Sequence, residues 1–158
     1  MALRIVNCVS TFTIDKTLSP ADYGNYNPKV FSGYVMKDKR ARILIYKSNK
    51  INVTGVKSLL EAKTVLLHNF PNIKILKAKV VNLTALALIK KPINFNAVTN
   101  NSKYSWEPEL FPGALFRESQ SVAIFFPSGK VILTGFKNKT KLKTFYREFS
   151  RNLPFKTV

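Results

Sequence analysis

Tyr26-Asn27-Pro28-Lys29-Val30-Phe31-Ser32-Gly33 and Trp106-Glu107-Pro108-Glu109-Leu110-Phe111-Pro112-Gly113 stand eighty residues apart, with Pro, Phe and Gly at the same three places. The register continues without a gap over 26–57 and 106–137. Ser48, Lys50, Thr54, Gly55 and Lys57 meet Ser128, Lys130, Thr134, Gly135 and Lys137, which makes eight identities in 32 positions. Conservative pairs such as Val30/Leu110, Lys37/Arg117 and Tyr46/Phe126 fill the intervals. A weaker echo at an interval of 75 sets Ile5-Val6-Asn7 on Val80-Val81-Asn82. This repeat is longer than the ~20–50 residues of a solenoid unit. The chain therefore reads as two copies of one small α+β unit packed as a pseudo-dimer, residues 1–75 and 76–158.

Each copy carries the same predicted elements. A first strand covers 4–14 in one and 79–89 in the other. The stretches 20–28 and 92–108, rich in Pro, Asn and Ser, read as loops with room for a short helix. Three strand-like runs follow, 30–37, 41–48 and 51–56, then 111–117, 121–127 and 130–136. Ser48-Asn49 and Ser128-Gly129 read as hairpin tips. A helix closes each copy. Residues 57–69 gather Leu59, Leu60, Val65, Leu66 and Leu67 on and around one side. Residues 138–153 set Leu142, Phe145, Phe149 and Leu153 on an apolar stripe. The opposite side carries Lys139, Lys141, Lys143, Arg147 and Arg151, a solvated basic face or a nucleic-acid contact.

Charge bounds the function. Among 158 residues, 26 are Lys or Arg and 8 are Asp or Glu, a formal net charge of +18. With 46% hydrophobic and 12% aromatic residues, the chain can still fill a core, so it is not a disordered polycation. Such a composition points to a polyanion-binding protein. One cysteine, Cys8, excludes an internal disulfide framework. With one histidine, His68, it also excludes most metal sites of the His/Cys kind, and no cofactor is expected. No apolar run approaches the ~18 residues of a membrane span, and the start lacks the apolar core of a signal peptide. The expectation is a soluble, nucleic-acid-bound protein of a reducing compartment with no membrane partner.

The strands are apolar on both faces. In 42–48, one face shows Ile43 and Ile45 and the other Leu44, Tyr46 and Ser48. In 121–128, Ala123 and Phe125 oppose Ile124, Phe126 and Ser128. The helices suffice to cover one face of a continuous sheet. The second face is either folded onto itself, as in a barrel, or open to a ligand that is anionic yet contacted through apolar and hydroxyl groups. The DNA minor groove is such a ligand, with an apolar floor, few donors and phosphate walls.

The two quoted stretches carry a resemblance. Trp106 to Gly113, followed by Ser128-Gly129-Lys130-Val131-Ile132-Leu133-Thr134-Gly135, resembles the second repeat of the TATA-box-binding protein (TBP) core. Tyr26 to Phe31 and Lys50-Ile51-Asn52-Val53-Thr54-Gly55-Val56-Lys57 resemble its first. The likeness spans roughly 3–155. It implies the family's saddle, two quasi-symmetric repeats forming one curved antiparallel sheet with helices on the convex side, and a non-enzymatic role. That role is a nuclear initiation factor that binds and bends A/T-rich promoter DNA. Its implied partners are a factor-IIB-like protein, a factor-IIA-like protein and the RNA polymerase machinery. A short, divergent chain with a Lys/Asn/Ile/Phe bias also suits a viral homologue, which would act in a viral factory or the cytoplasm.

Position by position, the resemblance implies four wedges that unstack base steps: Phe31 and Tyr46 at one end, Phe111 and Phe126 at the other. Asn7 and Asn82 match the paired asparagines that donate to adenine N3 and thymine O2. Thr54 and Thr134 match neighbouring hydroxyls, and Val9, Leu44, Ile124 and Ile132 the aliphatic floor. Lys37, Ser48, Lys57, Arg117, Ser128 and Lys137 match phosphate contacts. Glu107, Glu109 and Leu110 match the loop that docks the factor-IIB-like partner. Lys29 reverses the charge at the equivalent place in the first copy.

Departures from the family fall mainly in the first half or at the twofold, which weighs against a strict TATA preference. Asn52 and Thr84 stand where the family carries valines against the bases, Tyr46 replaces a phenylalanine, and Asn49 replaces the turn glycine. Residues 15–25 and 69–75 are trimmed. An adaptor that binds transcription factors with weak or altered DNA specificity is the alternative reading. An enzyme on a related fold finds little material, since no acid cluster, metal-ligand set or Lys/Asp pair stands out.

Overall fold

The computed structural model describes residues 3–157. In its first half, strands β1 (Arg4–Ile14), β2 (Gly33–Asp38), β3 (Ala41–Tyr46) and β4 (Lys50–Val56) lead to helix α1 (Leu59–Asn69). The second half runs β5 (Ile75–Leu88), β6 (Tyr104–Ser105), β7 (Ala114–Glu118), β8 (Ser121–Phe125), β9 (Lys130–Phe136) and helix α2 (Lys139–Arg151). The strands form one antiparallel sheet in the order β2-β3-β4-β1-β5-β9-β8-β7-β6. Two compact units divide the chain, Val6–Asn82 and Leu83 onward together with the residues up to Ile5.

Backbone geometry repeats along with the sequence. Lys39 and Ser119, eighty residues apart, both take a left-handed turn conformation, φ 51° and 55°. Gly55 and Gly135 are left-handed at φ 81° and 92°. A Cβ at either glycine would collide with a backbone carbonyl oxygen, of Arg40 or of Gln120. Each glycine sits in a β-bulge. Cys8 and Ser10 pair with Val56 and Val53, and Leu83 and Ala85 pair with Phe136 and Leu133, so two residues oppose one. The identity of Gly55 with Gly135 thus has a steric cause.

Each unit packs its helix on one face of its strands, α1 against β3 and β4 and α2 against β9. The first-half unit has an aliphatic core, with Ile43, Ile45, Ile51, Val53 and Leu66 fully buried around Phe12. The second-half unit is aromatic. Phe149 lies 5.3 Å from Phe125 and 5.6 Å from Phe116, and Phe145 lies 5.1 Å from Phe136, measured between ring centroids. Ser58 caps α1 by accepting the Glu61 N–H at 3.1 Å, while the Glu61 carboxylate accepts the Lys57 N–H at 2.9 Å. Asn138 caps α2 by accepting the Lys141 N–H at 2.9 Å.

Several expected bounds shift. β2 and β7 begin at 33 and 114 rather than 30 and 111, because the N–H groups of Val30 and Phe31 bond the Asn27 carbonyl and those of Leu110 and Phe111 bond the Glu107 carbonyl. The preceding residues are therefore tight turns. β5 starts at Ile75, ahead of the expected 79. The stretch 92–108, read as loop, holds the short strand β6, which pairs with β7 through Tyr104↔Phe116 and Ser105↔Leu115. Helix α1 turns differently from its leucine pattern. Ala62 and Leu66 are buried, whereas Leu60 is 75% exposed. In α2, Tyr146 joins Leu142, Phe145 and Phe149 in the core, and Lys139, Lys141, Lys143, Arg147 and Arg151 are exposed.

The Tyr104 hydroxyl is buried without a hydrogen-bond partner. Burial pushes its pKa above the usual tyrosine value, and nearby Lys103 opposes that shift. Tyr104→Phe removes an unpaired buried hydroxyl and should raise the unfolding free energy by about 1 kcal/mol in chemical denaturation. A raised folded-state pKa stabilises the neutral form below the unfolded value, and that contribution is lost as pH rises through the folded pKa. The variant's advantage should therefore grow above about pH 10.

Candidate nucleic-acid interface

With a helix over one face of each unit, the alternate side chains of the same strands are left on the other. Ile43, Ile45, Ala123 and Phe125 are fully buried, while their neighbours Leu44, Tyr46, Ile124 and Phe126 stay half-buried. Registered partners across an antiparallel pair share a face. This open face holds most of the residues singled out from the sequence.

In the Val6–Asn82 unit, Asn52 pairs with Leu44 on one side and Thr11 on the other. Thr54 pairs with Arg42, which pairs with Lys37. Asn7 is held beside Thr54. Its Oδ1 accepts the Gly55 N–H at 2.8 Å, and its Nδ2 donates to Thr54 Oγ1 at 3.2 Å. An amide has two N–H donors, so one remains for a ligand. Val9 lies opposite the bulge. Phe31 and Tyr46 form an open aromatic pair, with centroids 6.1 Å apart at 58°.

The other unit repeats this arrangement. Ile132 pairs with Ile124 and Leu86, and Thr134 with Val122. Thr84 Oγ1 lies 3.1 Å from Thr134 Oγ1. Phe111 and Phe126 stand 6.1 Å apart at 61°. Phe31 and Phe111 keep 40% and 42% of their surface exposed, unusual for phenylalanines beside a well-filled core. A glycine lies beneath each pair. A Cβ at Gly33 would come 3.1 Å from the Tyr46 ring and 3.2 Å from the Phe31 ring. At Gly113 it would come 2.8 Å from Phe111 and 2.9 Å from Phe126. Asn82, half-buried in β5, stands 75 residues after Asn7.

The remaining predicted residues lie at the margins. Lys37, Lys57, Arg117, Ser128 and Lys137 are exposed and Ser48 is half-buried. Among the described residues one ion pair forms, Lys103 Nζ to Glu118 Oε1 at 2.9 Å, so most of the positive charge is left for an external anion. Glu107, Glu109 and Leu110 project from their turn, Leu110 at 80% exposure. Among the described residues no group of His, Cys, Asp or Glu is arranged to hold a metal ion, and no helix is long and apolar enough to cross a membrane. Four face residues were missed from the sequence. Val35 and Leu115 pair with Leu44 and Ile124, and Thr11 and Leu86 pair with Asn52 and Ile132. The Val35/Leu115 match in the eighty-residue register was the available signal.

This repeated fold, with one helix-covered face and one open apolar face under a strongly positive field, is that of a DNA-binding transcription factor class. The family described as transcription factor TFIID (or TATA-binding protein, TBP) matches residues 2–76 and 77–154. The TATA-box-binding protein of Acetabularia peniculus is 34% identical over 174 residues, covering 98% of this chain and 89% of that one. The TATA box-binding protein-like 2 of Rattus norvegicus is 35% identical over 143 residues, covering 82% of this chain and 40% of that one. The solved structure of Methanococcus jannaschii TBP superposes with a TM-score of 0.80 at 27% identity, covering 94% and 96% of the two chains. The chain belongs to the TBP family, whose members are non-enzymatic DNA-binding transcription factors.

The glycines make a contrast testable. At Gly33 an added Cβ also meets the Ile45 carbonyl oxygen at 2.8 Å, which belongs to the sheet backbone and cannot swing aside. Gly33→Ala should cost about 1–3 kcal/mol of stability by overpacking. At Gly113 the obstacles are side chains alone. Gly113→Ala should cost less in denaturant melts yet displace the rings, read as shifts of the Phe111 and Phe126 aromatic NMR signals.

Proposed function

We propose that the protein is a general initiation factor whose open face binds the minor groove of A/T-rich, TATA-like DNA and bends it. The observation that carries this reading is the repeated exposed aromatic pair, Phe31/Tyr46 and Phe111/Phe126, with matching separations. Such rings enter a base step and take over its stacking. Asn7, Asn82, Thr54, Thr84 and Thr134 supply short polar contacts to groove acceptors, and Val9, Leu44, Ile124 and Ile132 line the floor. Asn52 interrupts that floor in the first half. Lys37, Ser48, Lys57, Arg117, Ser128 and Lys137 lie where the phosphate walls would pass. The turn at Glu107, Glu109 and Leu110 then recruits a factor-IIB-like protein and through it the polymerase, with a factor-IIA-like protein as a further partner. Action in the nucleus follows from this role. A second reading, an adaptor with altered DNA specificity, is favoured by one observation: the first-half floor carries Asn52 where the second-half floor carries Ile132.

A fluorescence bend assay on a selected A/T-rich duplex tests the main reading. Phe111→Ala with Phe126→Ala should reduce bending and weaken specific binding by about 2–4 kcal/mol. The thermal melt should change little. A large drop in melting temperature with bending retained would make these rings core residues.

With about six to ten phosphates neutralised, log K should fall against log salt with a slope of about −5 to −9. A titration giving a slope near zero would remove DNA binding as the main activity.

Glu107 and Glu109 offer an acidic edge on a chain of net charge +18, while the matching first-half turn carries Asn27 and Lys29. A basic partner surface can therefore choose between the ends. Glu107→Arg with Glu109→Arg should abolish ternary complex formation with the cognate IIB-like factor in a gel shift. Binary DNA binding should be kept or strengthened, and the gain should fade above about 0.15 M salt. Wild-type ternary affinity in the double variant would rule this edge out.

A further inference from the structure

At one set of equivalent positions the two halves of the open face differ by a connected row of polar side chains. In the Val6–Asn82 unit, Thr11 Oγ1 donates to Asn52 Oδ1 at 2.8 Å, and Asn52 Nδ2 donates to the Tyr46 hydroxyl at 3.4 Å. The corresponding residues of the other unit are Leu86, Ile132 and Phe126, which offer no polar side-chain atom. One half therefore has a connected polar strip, from the first strand to the aromatic pair, where the other has a hydrocarbon strip.

We infer that Asn52, held by Thr11 and Tyr46, is a specificity-determining residue that accepts the exocyclic amine of a guanine in the minor groove. The inference rests on the minor-groove reading above. A carbonyl oxygen has two lone pairs, and Thr11 occupies one on Asn52 Oδ1, so one is left. In the minor groove A·T pairs present only acceptors, and G·C adds the guanine N2 amine as a donor. Against Leu86, Ile132 and Phe126 that amine would be buried without an acceptor, which is costly. Against Asn52 it finds one. Should the amide be turned over, the hydroxyls of Thr11 and Tyr46 can exchange donor and acceptor roles, and Asn52 still keeps one acceptor lone pair and one N–H. Leu44, directly across the ladder, keeps the surroundings apolar and so sharpens the discrimination. The result is a two-part site: the hydrocarbon strip of Leu86, Ile132 and Phe126 excludes G·C, and the polar strip admits it at the pair facing Asn52.

Deoxyguanosine and deoxyinosine differ only by that amine, so the affinity ratio of G·C and I·C duplexes isolates the contact. A single G·C or I·C pair is walked through an A/T-rich duplex, and the full chain is titrated by fluorescence anisotropy at fixed salt. For the wild-type protein, G·C should bind within about threefold of I·C at one or two positions in one half. It should bind about tenfold or more weaker at the mirror positions, the scale of one buried hydrogen bond. Asn52→Val should raise the ratio in the tolerant half to about tenfold. Ile132→Asn should lower it in the other half, a gain that no loss of folding can imitate. Equal wild-type ratios in both halves, or a ratio that Asn52→Val leaves unchanged, would overturn the inference while leaving minor-groove binding intact. Failure of the wild-type chain to bind even the pure A/T duplex would instead overturn the DNA reading, and this assignment with it.

Discussion

One helix cannot cover two faces of a sheet. That constraint organises the rest of the molecule. In each unit the strands carry large apolar residues on both sides, and the helix buries the side bearing Ile43 and Ile45 or Ala123 and Phe125. The alternate side, with Leu44 and Tyr46 or Ile124 and Phe126, stays half-exposed. A free apolar surface of this kind is retained in a folded protein when a ligand uses it. Here the surrounding charge is so one-sided that the ligand is an anion, and the basic residues have few carboxylates to spend themselves on.

The repeat shows which features backbone geometry demands and which the open face leaves free to vary. Gly55 and Gly135 are fixed by a bulge that brings each against a carbonyl, Gly33 by the Ile45 carbonyl together with the rings over it, and Gly113 by side chains, chiefly the rings over it. The floor between them has no such constraint, and it is there that Thr11, Asn52 and Tyr46 replace the hydrocarbon of Leu86, Ile132 and Phe126. The two turns differ in the same way. Both hold the same pair of backbone hydrogen bonds, to the Asn27 or the Glu107 carbonyl, yet one displays Lys29 and the other two glutamates.

Much of this was legible before the structure. The gap-free register and the two-residue alternation located β3, β4, β8 and β9 and separated their faces, because both signals are local and both copies repeat them. Family membership and the fold followed from Trp106 to Gly113 and its counterpart. The orientation of α1 was not legible. Leu59, Leu60, Leu66 and Leu67 form a broad stripe on one side of the helix, and only packing against β3 and β4 turns it so that Ala62 and Leu66 are buried at that stripe's edge. Strand β6, two residues long, is too short to show any period. The Thr11–Asn52 bond joins residues 41 apart and depends on the β1–β4 register, which no local pattern encodes. The glycine beneath each aromatic pair was visible as an identity, but its role as a floor for the rings needed coordinates.

Trp106 is the chain's sole tryptophan. Its ring lies 4.8 Å from that of Phe95, and its backbone N–H donates to Asn100 Oδ1 at 2.6 Å. It immediately precedes the Glu107 turn and belongs to the unit that carries Phe111 and Phe126. Excited selectively over tyrosine, the native protein is therefore a one-sided fluorophore. Its emission observes the acidic turn that follows it in the chain, while Phe31, Tyr46 and Asn52 lie in a unit with no tryptophan of its own. A molecule built from two similar halves thus carries an optical label on one of them, placed there by its own sequence.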